Sequence, residues 1–177
     1  MLQAIEYTDT ERRGKKLLVF SIAIASGTSV YMSVEPKAFS FEEHAVVLVR
    51  SDRFLEMWRA DPIGTHAHDA NGSEESWRDH RKFQLAATGF SHGLPNPVPL
   101  AQVFCETGGG GKSGELPIYY VFFSNGITRT IWLLANGATT FPVLCPMPGA
   151  RWLHEHSGAA ETKLLLLSPT VAGTDDA

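Results

Sequence analysis

Arg129 is placed where a cation is least expected. It falls in the first turn of a helix that the pattern predicts from Ile127 to Ala135. A helix N-terminus carries free N–H groups and the positive end of the dipole. A cation added to that end favours a bound anion such as phosphate. No Asp or Glu lies between Glu115 and Glu155 to neutralise it locally. Ser124, Asn125 and Gly126 precede the helix as a polar turn. Ser or Asn there is a good N-cap, and Gly permits a positive φ. Local chemistry leaves two readings of Arg129: an anion ligand, or a cation that points to solvent or pairs with a distant acid.

Three other stretches carry residues with chemistry. His66, His68 and Asp69 sit in a loop over 61–72, and imidazole with carboxylate oxygen can coordinate a divalent ion. Solvent-exposed histidines fit the same loop. Arg78, His80, Arg81 and Lys82 make the middle of a helix expected over 74–87 basic, with Ser73 as its cap. This cluster is the best local candidate for a DNA backbone contact, and a solvated helix face fits it as well. Gly108 to Gly111, then Lys112 and Ser113, resemble a phosphate loop. That loop requires a Gly five residues before Gly111, where Glu106 stands, and a helix at the Lys-Ser pair, where Gly114-Glu115-Leu116-Pro117 follows. The run reads instead as a loop that could close over a ligand, with Lys112 as a phosphate contact, or as a plain disordered loop.

The elements that must hold these residues can be read from periodicity. The apolar run Tyr119 to Phe123 predicts a strand. Ile127, Ile131, Leu134 and Ala135 share one helix face, and Asn136-Gly137 is a C-cap. Thr140 to Cys145 is a second strand, so the unit reads as βαβ-like. Upstream, Leu17–Ala25 and Ser29–Val34 predict a hairpin about Ser26-Gly27-Thr28, and Ala45–Val49 another strand. Asp52–Ala60 predicts a helix with Phe54, Met57 and Trp58 inward. Gly89–Pro99 reads as a connector and Val98–Cys105 as a strand. Pro146 to Gly149 reads as a turn before a helix at Ala150–Ser157, with Trp152 and Leu153 inward. Lys163–Leu167 is a last apolar element.

The whole chain bounds the function. Its 177 residues suit one α/β (α+β) domain over 1–177, with a frayed N-terminus to about residue 15 and a loose tail from about 169. The apolar content of 44% fits a globular core. A formal charge of −4 gives no global attraction to nucleic acid, so DNA binding needs a local basic patch. The two cysteines, Cys105 and Cys145, match no zinc or redox spacing and read as reduced, buried thiols. The charged start lacks the pattern of a signal peptide, and no apolar run has the length of a membrane span. The expectation is a cytoplasmic protein, with peripheral contact at the inner membrane face left open.

Phe123-Ser124-Asn125-Gly126-Ile127-Thr128-Arg129, followed by Ala135-Asn136-Gly137-Ala138-Thr139-Thr140-Phe141-Pro142-Val143, resembles the ParB/sulfiredoxin superfamily. That superfamily has a strand, a Gly-x-x-Arg turn at a helix start and a Pro-Val strand after the helix. Pro97-Val98-Pro99-Leu100-Ala101-Gln102-Val103 is similar to the segment before its core. The likeness covers about 50 residues, and the full chain further resembles the plasmid fertility-inhibition proteins of that superfamily.

The resemblance implies a mixed sheet with flanking helices, nucleotide binding at the turn, ATP hydrolysis and nuclease action on DNA. It also implies a block on DNA transfer by type IV secretion, in conjugation or in transfer of oncogenic T-DNA. Gly126, Ile127, Thr128 and Arg129 would hold the phosphates, with Ser124 and Asn125 beside them. Mg²⁺ or another divalent cation would bridge the phosphates. Arg129 would supply charge for catalysis. Glu106, or less directly Glu115, would hold metal or orient water. Sulfiredoxins carry their catalytic cysteine where Ile127 stands, and a histidine where Thr128 stands, so sulfinic acid reduction is not expected. ParB partition proteins have further basic residues in this turn and a separate helix-turn-helix domain; this sequence shows neither, so centromere binding is not expected.

Two rivals stand beside the ATPase and nuclease reading. One is a non-catalytic inhibitor that docks on a secretion coupling protein or on relaxase-bound transfer DNA. The other is a metal-dependent nuclease using His66, His68 and Asp69.

Overall fold

In the computed structural model, two apolar runs at the centre decide the architecture. β4 (His44–Arg50) and β8 (Thr140–Pro146) pair antiparallel, Val47 opposite Val143, and both are buried along nearly their whole length. Strands buried on both faces read as continuous apolar runs because neither face meets water. The structure describes residues 7–12, 15–36, 43–108 and 116–167.

The described strands form two mixed sheets. The larger has the order β7-β6-β8-β4-β9, with β6 at Ala101–Gly108, β7 at Ile118–Asn125 and β9 at Leu165–Leu167. The smaller has the order β1-β2-β3-β5, with β1 at Tyr7–Arg12, β2 at Lys15–Ala23, β3 at Ser29–Val34 and β5 at Val98–Pro99. The β2–β3 hairpin turns at Gly27, whose φ is 81°. Residues 7–12, expected to be frayed, pair with β2 along six positions. Such pairing uses backbone N–H and C=O groups, so a polar sequence does not forbid it.

Among the described residues, six helices pack on this frame. α1 (Ser51–Arg59) buries Phe54, Met57 and Trp58 as its periodicity predicts. Phe54 meets Phe123 at 5.8 Å and Phe141 at 5.3 Å edge-on, and Trp58 meets Phe123 at 4.8 Å. The stretch expected to be a loop at 61–72 contains a short helix, α2 (Ala67–Ala70). The single helix expected over 74–87 is two, α3 (Glu74–Arg78) and α4 (Phe83–Ser91). Ser73 does cap α3, in a reciprocal capping box with Ser76.

α5 has the predicted bounds, Ile127–Ala135. It ends in a Schellman motif: Gly137 N–H donates to Leu134 C=O at 3.0 Å and Ala138 N–H to Leu133 C=O at 3.0 Å. Its burial is wider than one stripe, because Thr130, Ile131, Trp132 and Leu133 are all buried. α3 and α4 cover its far side, and Trp132 stacks on Phe90 at 4.3 Å.

The unit around α5 is not a parallel βαβ crossover. β6 lies between β7 and β8, antiparallel to the first and parallel to the second, so β7 and β8 run in opposite directions. α6 (Met147–Ser157) begins inside the expected turn, because proline is tolerated in a helix's first turn. Its Leu153 and Ala150 are fully buried, whereas Trp152 is 37% exposed. Among the described residues no helix is long and apolar enough to cross a membrane.

Gly126 is the tightest point of the frame. Its φ is 96°, and a Cβ there would lie 2.7 Å from the Cα of Ala101. Gly126→Ala is expected to lower the free energy of unfolding by on the order of 1–3 kcal/mol from the left-handed backbone alone. Urea denaturation measures it, and a midpoint equal to wild type would show that the turn relaxes freely.

Candidate functional site

The site is built on the turn between β7 and α5. Gly126 is the N-cap residue and no side chain caps the helix. The expected caps are occupied otherwise: Ser124 Oγ reaches Gln102 C=O at 3.5 Å, and Asn125 Oδ1 accepts from Arg129 Nη2 at 3.4 Å. The first helical bond is Thr130 N–H to Gly126 C=O at 3.1 Å. The N–H groups of Ile127, Thr128 and Arg129 therefore have no carbonyl within the helix. No acidic residue stands in the first turn.

Arg129 folds back over the turn. Its Nη1 donates to Pro99 C=O at 2.6 Å and to Leu100 C=O at 3.1 Å. The guanidinium is half-buried, and desolvation moves its pKa down from the usual arginine value. It clamps α5 to the junction of β5 and β6.

Ser124 to Thr128 form one wall of a cavity of about 430 Å³. Arg81, Lys82, His80, His66, Asp69 and Phe123 complete it. The break between α3 and α4 puts the basic residues there. His80 to Lys82 lie between the two helices, and Lys82 N–H donates to His80 Nδ1 at 3.2 Å. From the α2 side, His66 Nδ1 lies 3.5 Å from Asp69 Oδ2. The lining brings the uncapped start of α5 together with two cations, two imidazoles and one carboxylate, Asp69; the helix N-terminus and the cations suit a phosphate-sized anion.

Several expected site residues are elsewhere. Arg78 turns away, its Nη2 donating to Ala135 C=O at 2.7 Å and to Glu74 Oε1 at 2.9 Å. It places its charge at the C-terminal end of α5 rather than lining the cavity. His68 is exposed and does not converge with His66 and Asp69, because successive residues of a helix face different sides. Among the described residues no group of three or more His, Cys, Asp or Glu could hold a metal ion. Lys112 and Glu115, with the glycines from 109 to 111, lie outside the described residues.

Glu106 is displaced by strand length. It pairs opposite Tyr120, whereas Gln102 pairs opposite Asn125 at the turn. Four residues of strand separate them, or about 13 Å. Glu106 accepts the Tyr120 O–H at 3.0 Å, which holds that phenol above its usual range. It lines a second cavity, of about 590 Å³, where β6 has left β8 and the start of α6 fills in. Cys105 and Cys145 line the same cavity as free, buried thiols.

Three comparisons with known proteins bear on this arrangement. Residues 46–158 match the plasmid fertility inhibition factor family. The chain is 32% identical over 131 residues to "Protein osa" of Shigella flexneri, which covers 71% of this chain and 65% of that protein. The match thus spans less than two thirds of the relative's length. A crystal structure of Oncogenic Suppression Activity Protein, a plasmid fertility inhibition factor, superposes with a TM-score of 0.73. It covers 93% of this chain and 79% of the other at 23% identity, which establishes a shared fold.

The cysteines yield a pH prediction. Burial pushes both thiols from an ordinary 9.0 to about 12. Below 9.0 both states keep their protons; between 9.0 and about 12 the unfolded chain releases protons that the folded chain retains. Stability should therefore fall as pH rises through that window, seen as a declining urea midpoint. At pH 8 the native thiols should resist iodoacetamide until denaturant is added. Labelling at the rate of a free thiol would contradict their burial.

Proposed function

This chain belongs to the plasmid fertility inhibition factor family, and we propose that it blocks DNA transfer through a type IV secretion system by hydrolysing ATP and cleaving DNA at the cavity beside Gly126. The observation that carries this reading is the uncapped N-terminus of α5 opening on a cavity whose other wall holds Arg81 and Lys82. Phosphoryl transfer depends mainly on positioning and on charge aimed at the phosphate oxygens. The N–H groups of Ile127 and Thr128 and the cations of Arg81 and Lys82 supply both. Mg²⁺ or another divalent cation would arrive on the nucleotide, held chiefly by its phosphates.

Arg129 acts in this reading as a positioning residue. Its bonds to Pro99 and Leu100 hold the turn against β6. The DNA substrate is a transfer intermediate, relaxase-bound in the donor cell, and the site of action is the cytoplasm or the inner membrane face.

A second reading rests on the other cavity. Phe104 is 38% exposed and Trp152 37% exposed at its edge, beside Glu43 and Glu106. Partly exposed aromatic side chains are enriched where proteins bind one another. That surface suits docking on a secretion coupling protein without catalysis.

The test uses purified chain with ATP and supercoiled plasmid. Replacing both Arg81 and Lys82 by Ala should weaken nucleotide and DNA binding. It should also reduce the salt slope of DNA affinity by about 2, since each cation neutralises one phosphate. Arg129→Ala should weaken the fold as well as binding, since it leaves the Pro99 and Leu100 carbonyls without their donor. If the Arg81/Lys82 variant binds and turns over as wild type does, the cavity is not the site. If it still blocks conjugation in cells, the docking reading is favoured.

A further inference from the structure

We propose that His66 is the general base of phosphoryl hydrolysis in this cavity, oriented by Asp69, and that His80 is a neutral hydrogen-bond donor to the phosphoryl group. The inference rests on the reading of the cavity as a phosphate site. The two imidazoles line the same cavity, and each is engaged at Nδ1 by a partner of opposite character. His66 Nδ1 faces the Asp69 carboxylate at 3.5 Å. A carboxylate beside Nδ1 favours the proton on that nitrogen, which leaves the Nε2 lone pair free. His80 Nδ1 instead accepts the N–H of Lys82 at 3.2 Å. A nitrogen that accepts carries no proton, so the neutral ring bears its hydrogen on Nε2.

The Asp69 carboxylate thus sets His66 as an acceptor at Nε2, and the Lys82 backbone N–H sets His80 as a donor there. Neither assignment follows from the residue type. His66 has its side chain 42% exposed, open enough to meet water, while Asp69 at 16% is the more sheltered partner. Arg81, Lys82 and the N–H groups of Ile127 and Thr128 lie around the same space, where they would hold the phosphoryl oxygens.

The step balances without an oxidant or reductant. The oxygen of a water molecule bonds to phosphorus as His66 Nε2 takes one of its protons. The bond from phosphorus to the leaving oxygen breaks, and its electron pair stays on that oxygen. For a nucleoside triphosphate the leaving diphosphate departs as an anion. His80 Nε2–H donates to a phosphoryl oxygen throughout and keeps its proton. The proton on His66 then passes to solvent. Asp69 is a positioning residue, since it acts only through His66.

The test measures binding and turnover separately on the full chain, with a non-hydrolysable ATP analogue for affinity and ATP for turnover. His66→Gln should leave the analogue's Kd unchanged and lower kcat by about 100-fold or more, the usual range for a lost general base. His66→Gly should be restored in part by added imidazole, a rescue that a purely structural role would not show. Asp69→Asn should lower kcat less than His66→Gln does, again without a change in Kd. His80→Ala should raise Kd and lower kcat, whereas His80→Asn, which keeps a donor, should recover part of both. Wild-type turnover in His66→Gln, or no imidazole rescue of an inactive His66→Gly, overturns the inference. A wild-type chain that binds the analogue without hydrolysing ATP overturns it too, yet leaves the phosphate site standing. A chain that binds no analogue removes both.

Discussion

A Cβ on residue 126 would sit 2.7 Å from the Cα of Ala101 and 3.1 Å from Arg129 Nε, so the β7–α5 turn, the start of β6 and the guanidinium pack as one unit. The left-handed φ of 96° lets the chain leave β7 and enter α5 without a side-chain cap. Arg129 then closes the unit by donating to the carbonyls of Pro99 and Leu100. A β-bulge between Gln102 and Val103 adjusts the strand opposite. Because Gly126 offers no side-chain acceptor, the first N–H groups of the helix are left uncapped. The arginine whose position in the sequence suggests a phosphate ligand spends Nη1 on the carbonyls of Pro99 and Leu100, and so ties the turn to the start of β6.

The second wall depends on a different non-local interaction. Trp77 buries its ring and donates Nε1–H to Asp69 C=O at 2.8 Å, which ties α3 to α2. Arg78 fastens the end of α3 to the Ala135 carbonyl at the end of α5, with its guanidinium 5.9 Å over the Phe83 ring. Phe83 is buried at the start of α4. The segment between these anchors cannot continue a straight helix and turns its polar residues outward to the cavity. His66 and Asp69 arrive beside them because α2 is held by Trp77. A chain of formal charge −4 thereby acquires a local basic surface, the kind of patch that global charge conceals.

Part of this architecture is legible in the sequence and part is not. α5 can be bounded to the residue because Gly126 and Asn136-Gly137 are local signals that act through backbone conformation. The β2–β3 hairpin and the inward face of α1 are legible for the same reason, from alternation and helical spacing. The break at Asp79–Lys82 is hidden, since none of those residues opposes helix strongly. The start of α6 is hidden by its prolines, which are as acceptable in a first helical turn as in a loop. Its Gly149 has meaning only in space, where a Cβ would lie 2.5 Å from Cys105 C=O. Glu106 is misplaced when nearness in sequence is taken for nearness at the turn, because the strand carries it about 13 Å away.

Local conformation is written in contiguous residues: where Gly must turn, where apolar periodicity buries a strand or helix, and that a Gly-x-x-Arg turn opens α5. The sequence also carried the family resemblance, because those motifs are contiguous. Folding in three dimensions settles where the side chains of that turn go, which strand separates β7 from β8, and which histidines and cations line one cavity. The physical reason is that hydrogen-bond partners of a long side chain, and the neighbours of a strand, are set by residues remote in sequence. Arg129 reaches residues 29 and 30 positions away, and no local pattern records that distance.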